Sequence, residues 1–337
     1  MSLVPLFIQP FRTLRLPPHG SFESQTVIVT GANTGLGLET ARHIVSLGAA
    51  KVILGVRTIT KGDAAKADIE ATVGRKGVIE VWELDLESFD SVKSFASRAA
   101  KLSRLDTAIM NAGLASAQWK VSKHGWERTI QVNALSTSLL SLLLLPIMVR
   151  TKRALPGTQP HFVILGSDVH AMAKFEERTA ANSLEALNDH ELWKKAIDKN
   201  PAERYWVSKL LDSYLTIELA QLVPTINGDP AVIVDVVAPG FCKSELLSRE
   251  PGVPFILVVL QTLTGRTLPE GSKTVVDAAV RGRDAHGQYL NHQKITTQGT
   301  LVTSDEGVRV RKKIWGEILQ VLEAVAPEIG RITNGDL

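Results

Sequence analysis

The chain has 337 residues, of which 44% are hydrophobic and 22% charged, an ordinary globular mixture. Its 38 basic and 35 acidic residues give a net charge of +3, too balanced to suggest a nucleic acid partner. The single cysteine excludes an internal disulfide, and no apolar run reaches the about 18 residues of a membrane span. We therefore expect a cytoplasmic protein, with a peripheral membrane contact by residues 1–20 left open.

From residue 24 onwards, short apolar strands alternate with helical patterns, after an N-terminal extension over residues 1–23. The predicted strands are Gln25–Thr30, Lys51–Val56, Val78–Leu84, Asp106–Met110, His161–Gly166, Ala231–Val237 and, at an edge, Gln288–Leu290. The predicted helices are Leu36–Leu47, Thr60–Val73, Ser88–Leu102, Gly125–Val149, Tyr205–Leu222 and Asp305–Val325.

Strands that are apolar throughout indicate a parallel sheet covered on both faces by helices. Right-handed crossovers then favour a doubly wound α/β sheet, the Rossmann fold. No repeat or linker divides residues 24–337, so a single domain is predicted.

A glycine-rich turn joins the first strand to the first helix. The glycines allow a tight turn and a close backbone approach to a pyrophosphate, which the N–H groups of the helix N-terminus would bind. Such a turn is weak support alone, but its place inside a strand–turn–helix unit strengthens it. The candidate cofactor residues of the turn are Gly31, Asn33, Thr34, Gly35, Leu36 and Gly37.

The end of the second strand carries Arg57 where an acidic residue would bind a ribose 2′-hydroxyl. A guanidinium can instead pair with a 2′-phosphate, and Lys61 one helical turn later adds positive charge. This pattern favours NADP(H) over NAD(H). The alternative is that Arg57 is a solvated surface residue.

Two further groups follow the third and fourth strands. Asp85 and Leu86 could receive the adenine, since a carboxylate can accept a hydrogen bond from its amino group, or Asp85 could simply be an acid at a helix N-terminus. Asn111, Ala112 and Gly113 have small side chains that fit a wall against the adenosine, or a plain turn.

Tyr205 and Lys209 lie four residues apart at a helix start, so that phenol and ammonium can address one pocket. A neighbouring ammonium stabilises phenolate, and a tyrosine tuned in this way can act as acid or base. Ser167 ends the fifth strand, at the sheet edge that faces a ligand, but could also be a turn residue. Asn133 is a poor helix former inside a helix, with a hydrogen-bonding role or a trivial exposed one.

The sixth strand is followed by Pro239 and Gly240, a rigid turn where a nicotinamide would lie, and by Ser244, which could contact its carboxamide or the pyrophosphate. A purely structural turn is the alternative. The apolar run over residues 253–260 lies within the segment of about residues 241–270. It is either a buried helix or a substrate lid. As a lid, its apolar side chains would contact a lipophilic substrate, a lipid surface or a partner subunit. No metal site is predicted.

Taken in chain order, these motifs resemble the signature of the short-chain dehydrogenase/reductase family over about residues 24–292. Arg57, Lys61 and the Ser167–His170 spacing are similar to its retinol-dehydrogenase-like branch, and most to fungal reductases that tailor natural products. The family often forms homodimers through the helices that carry Asn133 and Tyr205.

The resemblance implies a mechanism. Tyr205 would be the general acid during reduction, and Ser167 would polarise and orient the carbonyl. Lys209 would bind the nicotinamide ribose and lower the pKa of Tyr205, while Asn133 would hold a water that connects Lys209 to solvent.

The sequence departs from the family pattern at three places. Ser244 replaces the usual threonine, Gly166 replaces the first of two serines, and a long segment, helical and charged over Phe175–Asp198, separates Ser167 from Tyr205. That segment could form a flap at the substrate mouth.

The leading hypothesis is an NADP(H)-dependent oxidoreductase that interconverts a carbonyl and an alcohol on a hydrophobic small molecule, possibly in secondary metabolism. One alternative keeps the fold and uses bound NADP(H) for isomerisation, dehydration or cyclisation without net redox. Another is a non-catalytic NADP(H) sensor.

Overall fold

A computed structural model describes residues 13–243 and 264–337 of the chain. The strands are β1 (Thr26–Thr30), β2 (Lys51–Val56), β3 (Ile79–Glu83), β4 (Thr107–Met110), β5 (His161–Leu165), β6 (Thr225–Ile226), β7 (Asp229–Pro230), β8 (Ile233–Ala238), β9 (Tyr289–Asn291) and β10 (Lys294–Ile295). The α-helices are α1 (Gly35–Ser46), α2 (Ile59–Val73), α3 (Phe89–Ala99), α4 (Thr137–Ala154), α5 (Ser183–Leu187), α6 (His190–Lys199), α7 (Glu203–Leu222), α8 (Leu268–Ala278), α9 (Thr300–Thr303), α10 (Asp305–Val325) and α11 (Glu328–Thr333).

Eight strands form one sheet in the order β10-β9-β8-β5-β4-β1-β2-β3, and β6 and β7 form a separate hairpin. All neighbours in the large sheet are parallel except β9 and β10. The chain order reverses beside β1, which pairs with β2 on one side and β4 on the other. Ligands bind at such a reversal, outside the carboxyl ends of the strands. The predicted doubly wound Rossmann fold is confirmed.

The strands form because their β-branched residues are buried on both faces of the sheet. On one face, α3, α4, α7 and α10 pack their apolar residues into a single core. On the other face, α1, α2 and α8 form a second core against the same sheet. This two-layer cover holds the carboxyl ends of β1, β4 and β5 in fixed positions.

The long apolar helix differs from its predicted bounds, Gly125–Val149. It opens with a π-helical segment over Ile130–Ser136 and continues as α4 to Ala154, through Pro146. The later start has a cause in Glu127, whose carboxylate accepts hydrogen bonds from the backbone N–H groups of Thr129 (2.9 Å) and Ile130 (3.1 Å). Burial raises the pKa of the Glu127 carboxyl.

By length and composition, the stretch Ile130–Ala154 could cross a membrane, but 89% of its most apolar window is buried inside the protein. It is therefore a core helix.

The described part of the predicted extension packs on the domain. Phe22 is fully buried, and the backbone N–H of Leu14 donates to the Glu270 carboxylate at 3.0 Å. The boundary at residue 23 stays a prediction, as does the lid over residues 241–270, most of which lies outside the described residues. The apolar run 253–260 is among the residues not described.

The segment before Tyr205 is helical, in short pieces. It contains two 3-10 turns, Asp168–Met172 and Glu176–Thr179, followed by α5 and α6. Glu317 on α10 caps α5 by accepting from the N–H groups of Ser183 (3.0 Å) and Leu184 (2.9 Å). The segment is thus anchored to the C-terminal helix.

Candidate active site

The glycine turn between β1 and α1 is shaped by close backbone contacts. Gly31 has a positive φ of 65°, and a Cβ atom there would lie 3.0 Å from the Cα of Ala112. The Asn111 amide donates to the carbonyl of Thr30 at 2.8 Å, and the Thr30 hydroxyl accepts from the N–H of Ala112 at 2.9 Å. The wall predicted after β4 therefore lies directly against the turn.

The outer side of this turn is open. Gly35 has a positive φ of 63°, and a Cβ atom there would meet nothing within 4 Å. Thr34, the N-cap of α1, makes no side-chain cap hydrogen bond, and the first turn of α1 has no acidic residue. Free N–H groups beside an open glycine backbone fit a pyrophosphate group. The Leu36 side chain points towards α8, since a Cβ on Gly271 of that helix would lie 3.2 Å from it.

A cleft of about 270 Å³ runs from this turn along the ends of β2, β3 and β4. It joins most of the predicted adenosine-binding residues in one place. Its lining includes Gly31, Asn33, Arg57, Lys61, Asp85, Leu86, Ala112 and Gly113. The cleft suits the adenosine half of a dinucleotide cofactor, for which the turn would hold the phosphates and the strand ends the adenosine.

One carboxylate in the cleft was not predicted. Glu87 Oε1 lies 3.1 Å from Arg57 Nη1 and 2.8 Å from Arg128 Nη2, so it bridges two guanidinium groups. Asp85 accepts from the N–H of Glu87 at 2.9 Å, which orders the turn after β3. Arg57 keeps 63% of its side chain exposed. It is therefore ion-paired and still reachable from solvent.

Tyr205 and Lys209 share one face of α7, as predicted from their spacing. The Lys209 Nζ atom lies 5.7 Å from the centre of the Tyr205 ring. It also donates to the carbonyl of Leu165, the last residue of β5, at 2.8 Å. A Cβ on Gly113 would lie 3.8 Å from it. The ammonium thus connects α7 to the ends of β4 and β5.

Three effects act on the pKa of Tyr205, and Lys209 acts in the direction that the resemblance implies. Burial raises the pKa of the phenol above its ordinary value, the Lys209 ammonium lowers it, and the carboxylate of Asp212 raises it again. Burial outweighs the ammonium, whose charge Asp212 partly offsets at a distance of 2.8 Å. Lys209 thus lowers the pKa of Tyr205, as expected, but burial has the larger effect and the pKa stays above its ordinary value.

Ser167 lies directly after β5 and caps the 3-10 turn that follows, accepting from the N–H of Val169 at 3.4 Å. The next residue, Asp168, accepts from the Tyr289 hydroxyl (2.5 Å) and the Asn291 amide (2.6 Å) on β9. His170 is buried, and its Nδ1 lies 2.7 Å from the carbonyl of Ser167. Burial lowers the pKa of His170.

His170 also accepts from the N–H of Gly299 through Nε2, at 3.0 Å. Its Nδ1 therefore carries the proton and donates to Ser167. Together with the Asp168 contacts, this bond fixes the Ser167 turn to a distant part of the chain.

Asn133 lies in the π-helical segment, and its amide contacts the loop after β4. It accepts from the N–H of Leu114 at 2.9 Å and donates to the Leu114 carbonyl at 2.8 Å. It also donates to the Ser208 hydroxyl on α7 at 2.9 Å. Asn133 thus has a hydrogen-bonding role: it fixes the loop after β4 against the helix that carries Tyr205.

The turn after β8 contains Pro239 and Gly240, the latter with φ of 79°. The Pro239 carbonyl accepts from the Arg266 guanidinium at 3.1 Å, which the sequence did not indicate. Ser244 lies outside the described residues, so its contact stays a prediction. Among residues 13–243 and 264–337, no group of three or more His, Cys, Asp or Glu side chains could hold a metal ion.

Gly37→Ala tests the closeness of the turn. A Cβ at Gly37 would overlap the Asn111 amide and lie 2.7 Å from the Gly31 carbonyl oxygen. We expect a loss of about 1–3 kcal/mol in the free energy of unfolding and at least a tenfold weaker dinucleotide affinity, measured by urea unfolding and fluorescence titration.

Gly316→Ala is the matched control. Gly316 lies inside α10, and a Cβ there would meet nothing within 4 Å. We expect this variant to gain up to about 1 kcal/mol, since alanine is the better helix former, and to bind the dinucleotide normally. Equal behaviour of the two variants would contradict the proposed packing of the turn.

Comparisons with known proteins agree with this geometry. Residues 25–155 match the family model described as short chain dehydrogenase. A short chain dehydrogenase/reductase of Cryptosporiopsis sp. is 38% identical over 331 residues, which cover 96% of this chain and 98% of that protein. A short chain dehydrogenase of Emericella nidulans is 42% identical over 282 residues, covering 82% and 87% of the two chains.

Solved structures show the same fold. An oxidoreductase of E. coli superposes with a TM-score of 0.59 at 20% identity, covering 83% of this chain and 100% of the other. A short-chain dehydrogenase from Sphingobium yanoikuyae in complex with NADPH has a TM-score of 0.56 at 21% identity, covering 87% and 96%. With the sequence relatives, the glycine turn and the Tyr205–Lys209 pair, the conclusion is that this chain belongs to the short-chain dehydrogenase/reductase family of NAD(P)-dependent oxidoreductases.

Proposed function

We propose that the protein is an NADP(H)-dependent oxidoreductase that interconverts a carbonyl and an alcohol on a hydrophobic small molecule. The observation that carries the proposal is one sheet edge with two halves. The open glycine turn lies at the end of β1, and the Lys209 ammonium joins Tyr205 to the end of β5. A phosphate-binding half beside an acid–base half suits hydride transfer between cofactor and substrate.

Bound NADP(H) would supply or accept the hydride. During reduction, the Tyr205 phenol gives its proton to the carbonyl oxygen, and the reverse reaction returns the proton to the phenolate. The Lys209 ammonium stabilises that phenolate and would hold the nicotinamide ribose of a bound cofactor. The Ser167 hydroxyl donates to the carbonyl oxygen and orients it. Asn133 holds the loop wall and, as a further part of the proposal, the water through which Lys209 exchanges protons with solvent.

The charges in the cleft support NADP(H) as the cofactor. Arg57, Lys61 and Arg128 face Asp85 and Glu87, so that the lining has one more positive than negative charge. Glu87 already holds Arg57 and Arg128 in place. An exposed guanidinium at the end of β2 is well suited to a 2′-phosphate. The NADPH bound to the Sphingobium enzyme is in keeping with this preference.

Arg57→Ala is expected to weaken NADPH binding by about 10–100-fold, because a hydrogen bond to a charged group contributes about 1.5–3 kcal/mol. NADH, which lacks the 2′-phosphate, should bind with unchanged affinity. The measurement is a fluorescence titration of each nucleotide.

Arg98→Ala is the control for a general loss of positive charge. Arg98 lies over the Trp82 ring at 4.0 Å, away from the cleft. The Arg98→Ala variant should bind NADPH like the wild type. An Arg57 variant that binds both nucleotides normally would reject the assigned phosphate contact.

Aromatic and apolar side chains support a hydrophobic substrate. The Trp119 ring, on the loop after β4, lies 5.5 Å from Trp193 and 5.1 Å from His190 on α6. Both segments follow carboxyl ends of strands, the side on which ligands bind. In the sequence, the apolar run 253–260 falls within residues 241–270, where the family resemblance implies a substrate lid. Secondary metabolism is the context that the fungal relatives suggest.

The function is tested by a screen of hydrophobic ketones with NADPH and of the matching alcohols with NADP⁺, followed by absorbance at the wavelength of the reduced nicotinamide. We expect turnover in both directions with one substrate pair. Product formation without a net absorbance change would favour isomerisation, dehydration or cyclisation instead. Nucleotide binding without any product would indicate a sensor.

A cytoplasmic location and a homodimer complete the proposal. A dimer interface on α4 and α7 is not open in this chain. Its own α10 and α11 pack their apolar residues, among them Trp315, Ile318 and Ile329, into the same core as α4 and α7. The second copy would therefore have to use another face.

A further inference from the structure

A third ionisable residue lies next to Tyr205 and Lys209. Asp212, one turn beyond Lys209 on α7, places Oδ2 at 2.8 Å from the Lys209 Nζ atom. Tyr205, Lys209 and Asp212 are spaced i, i+4 and i+7, which puts all three on one helix face. The sequence analysis did not single out Asp212.

The pair is almost completely removed from water. Asp212 exposes 3% of its surface and Lys209 exposes 7%. A buried carboxylate is strongly destabilising without a partner, and in the described part of the chain Lys209 is the cation that pairs with Asp212. The Lys209 ammonium is fixed on its other side by the Leu165 carbonyl at 2.8 Å. Its position therefore depends on two contacts, one from each side.

The Asp212 carboxylate also changes the electrostatic field at the Tyr205 phenol. An ammonium beside a phenol favours phenolate, but a carboxylate 2.8 Å from that ammonium offsets much of its field. The titratable groups that act on one another here are Tyr205, Lys209 and Asp212, all from α7. The neighbouring elements contribute the Leu165 carbonyl and the Asn133 amide, neither of which titrates.

We propose that Asp212 is a positioning residue for the reaction: it holds the Lys209 ammonium against the end of β5 and limits the charge that Lys209 presents to Tyr205. The proposal rests on the hydride-transfer function given above. In this role Asp212 acts through Lys209, the cation to which its carboxylate is paired. Burial raises the pKa of the Asp212 carboxyl, and the Lys209 ammonium at 2.8 Å opposes this rise.

Asp212→Asn tests the proposal, because it keeps the size and a hydrogen-bonding oxygen but removes the charge. Without the carboxylate, the full charge of Lys209 acts on Tyr205 and lowers the pKa of its phenol. We expect the pH profile of kcat/KM to shift to lower pH by about one unit, the lower end of what a close charge produces. In alcohol oxidation the rising limb of the profile then moves to lower pH. In ketone reduction the falling limb moves to lower pH.

Glu218→Gln is the matched control. Glu218 lies on the same helix and forms its own buried pair with Arg311 at 2.6 Å, in a different contact from Lys209. It should lose stability and leave the pH profile of the wild type in place. Asp212→Glu retains the charge and is expected to retain the wild-type profile.

The outcomes separate the two proposals. Wild-type protein without oxidoreductase activity rejects the proposed function. Active wild type with an unshifted Asp212→Asn profile rejects the role of Asp212. Asp212→Ser is measured in parallel in case the asparagine variant does not fold, and the same shift is expected. If neither neutral variant folds, Asp212 is a structural residue only and the proposal fails.

Discussion

Replacing Tyr205 by phenylalanine is expected to lower kcat by about 10²–10⁴-fold, the range contributed by a positioned acid or base. The substitution removes the phenol proton and leaves the glycine turn and the cleft unchanged, so NADPH affinity should stay within about twofold. The phenol oxygen makes no hydrogen bond to another residue in the described ranges, and its loss should cost little stability. The measurements are steady-state kinetics, a binding titration and thermal unfolding.

Tyr214→Phe serves as the control on the same helix. The Tyr214 hydroxyl donates to the Leu301 carbonyl at 2.6 Å, and its ring is buried. Removing that hydroxyl should cost about 1 kcal/mol of stability and leave kcat unchanged. The two phenols should thus show opposite effects. A Tyr205→Phe enzyme that retains more than about one-tenth of kcat would reject the acid–base role.

Lys209→Met is expected to affect both activity and stability. The apolar side chain cannot stabilise phenolate, and we expect kcat to fall by at least about 100-fold. It also leaves the Asp212 carboxylate buried and unpaired, which costs about 3–5 kcal/mol when one partner of a buried ion pair is lost. Kinetics and urea unfolding give the two effects separately.

A second substitution separates these effects. Lys209→Met combined with Asp212→Asn removes the unpaired charge, so the double variant should regain most of the lost stability while staying inactive. A double variant no more stable than Lys209→Met alone would show that the pair makes no energetic contribution to α7. A double variant with recovered activity would contradict the role of Lys209.

Much of this molecule follows from local sequence patterns. The strands are β-branched and buried on both faces, so their positions and parallel pairing could be predicted from composition and alternation with helices. The glycine turn was predictable because its backbone conformations and close contacts require glycine at Gly31 and Gly37. The spacing of Tyr205 and Lys209 on a helix likewise fixes a shared face.

The remaining features depend on burial and on particular side-chain contacts, which periodicity does not reveal. The later start of the long helix comes from the Glu127 cap, and Arg57 is ion-paired because Glu87 lies beside it. The raised pKa of Tyr205 depends on burial and on Asp212, whose spacing could have been noticed but whose burial could not. Each of these required three-dimensional contacts.

The turn that carries Ser167 has a consequence for biosynthesis. Its residues leave the ribosome long before Tyr289, Asn291 and Gly299, the partners that fix Asp168 and His170. A nascent or C-terminally truncated chain lacking those partners would contain every predicted catalytic side chain and still have an unsupported serine. The chain therefore becomes able to catalyse its reaction only late in translation. Stop codons well downstream of the reacting residues should inactivate the enzyme.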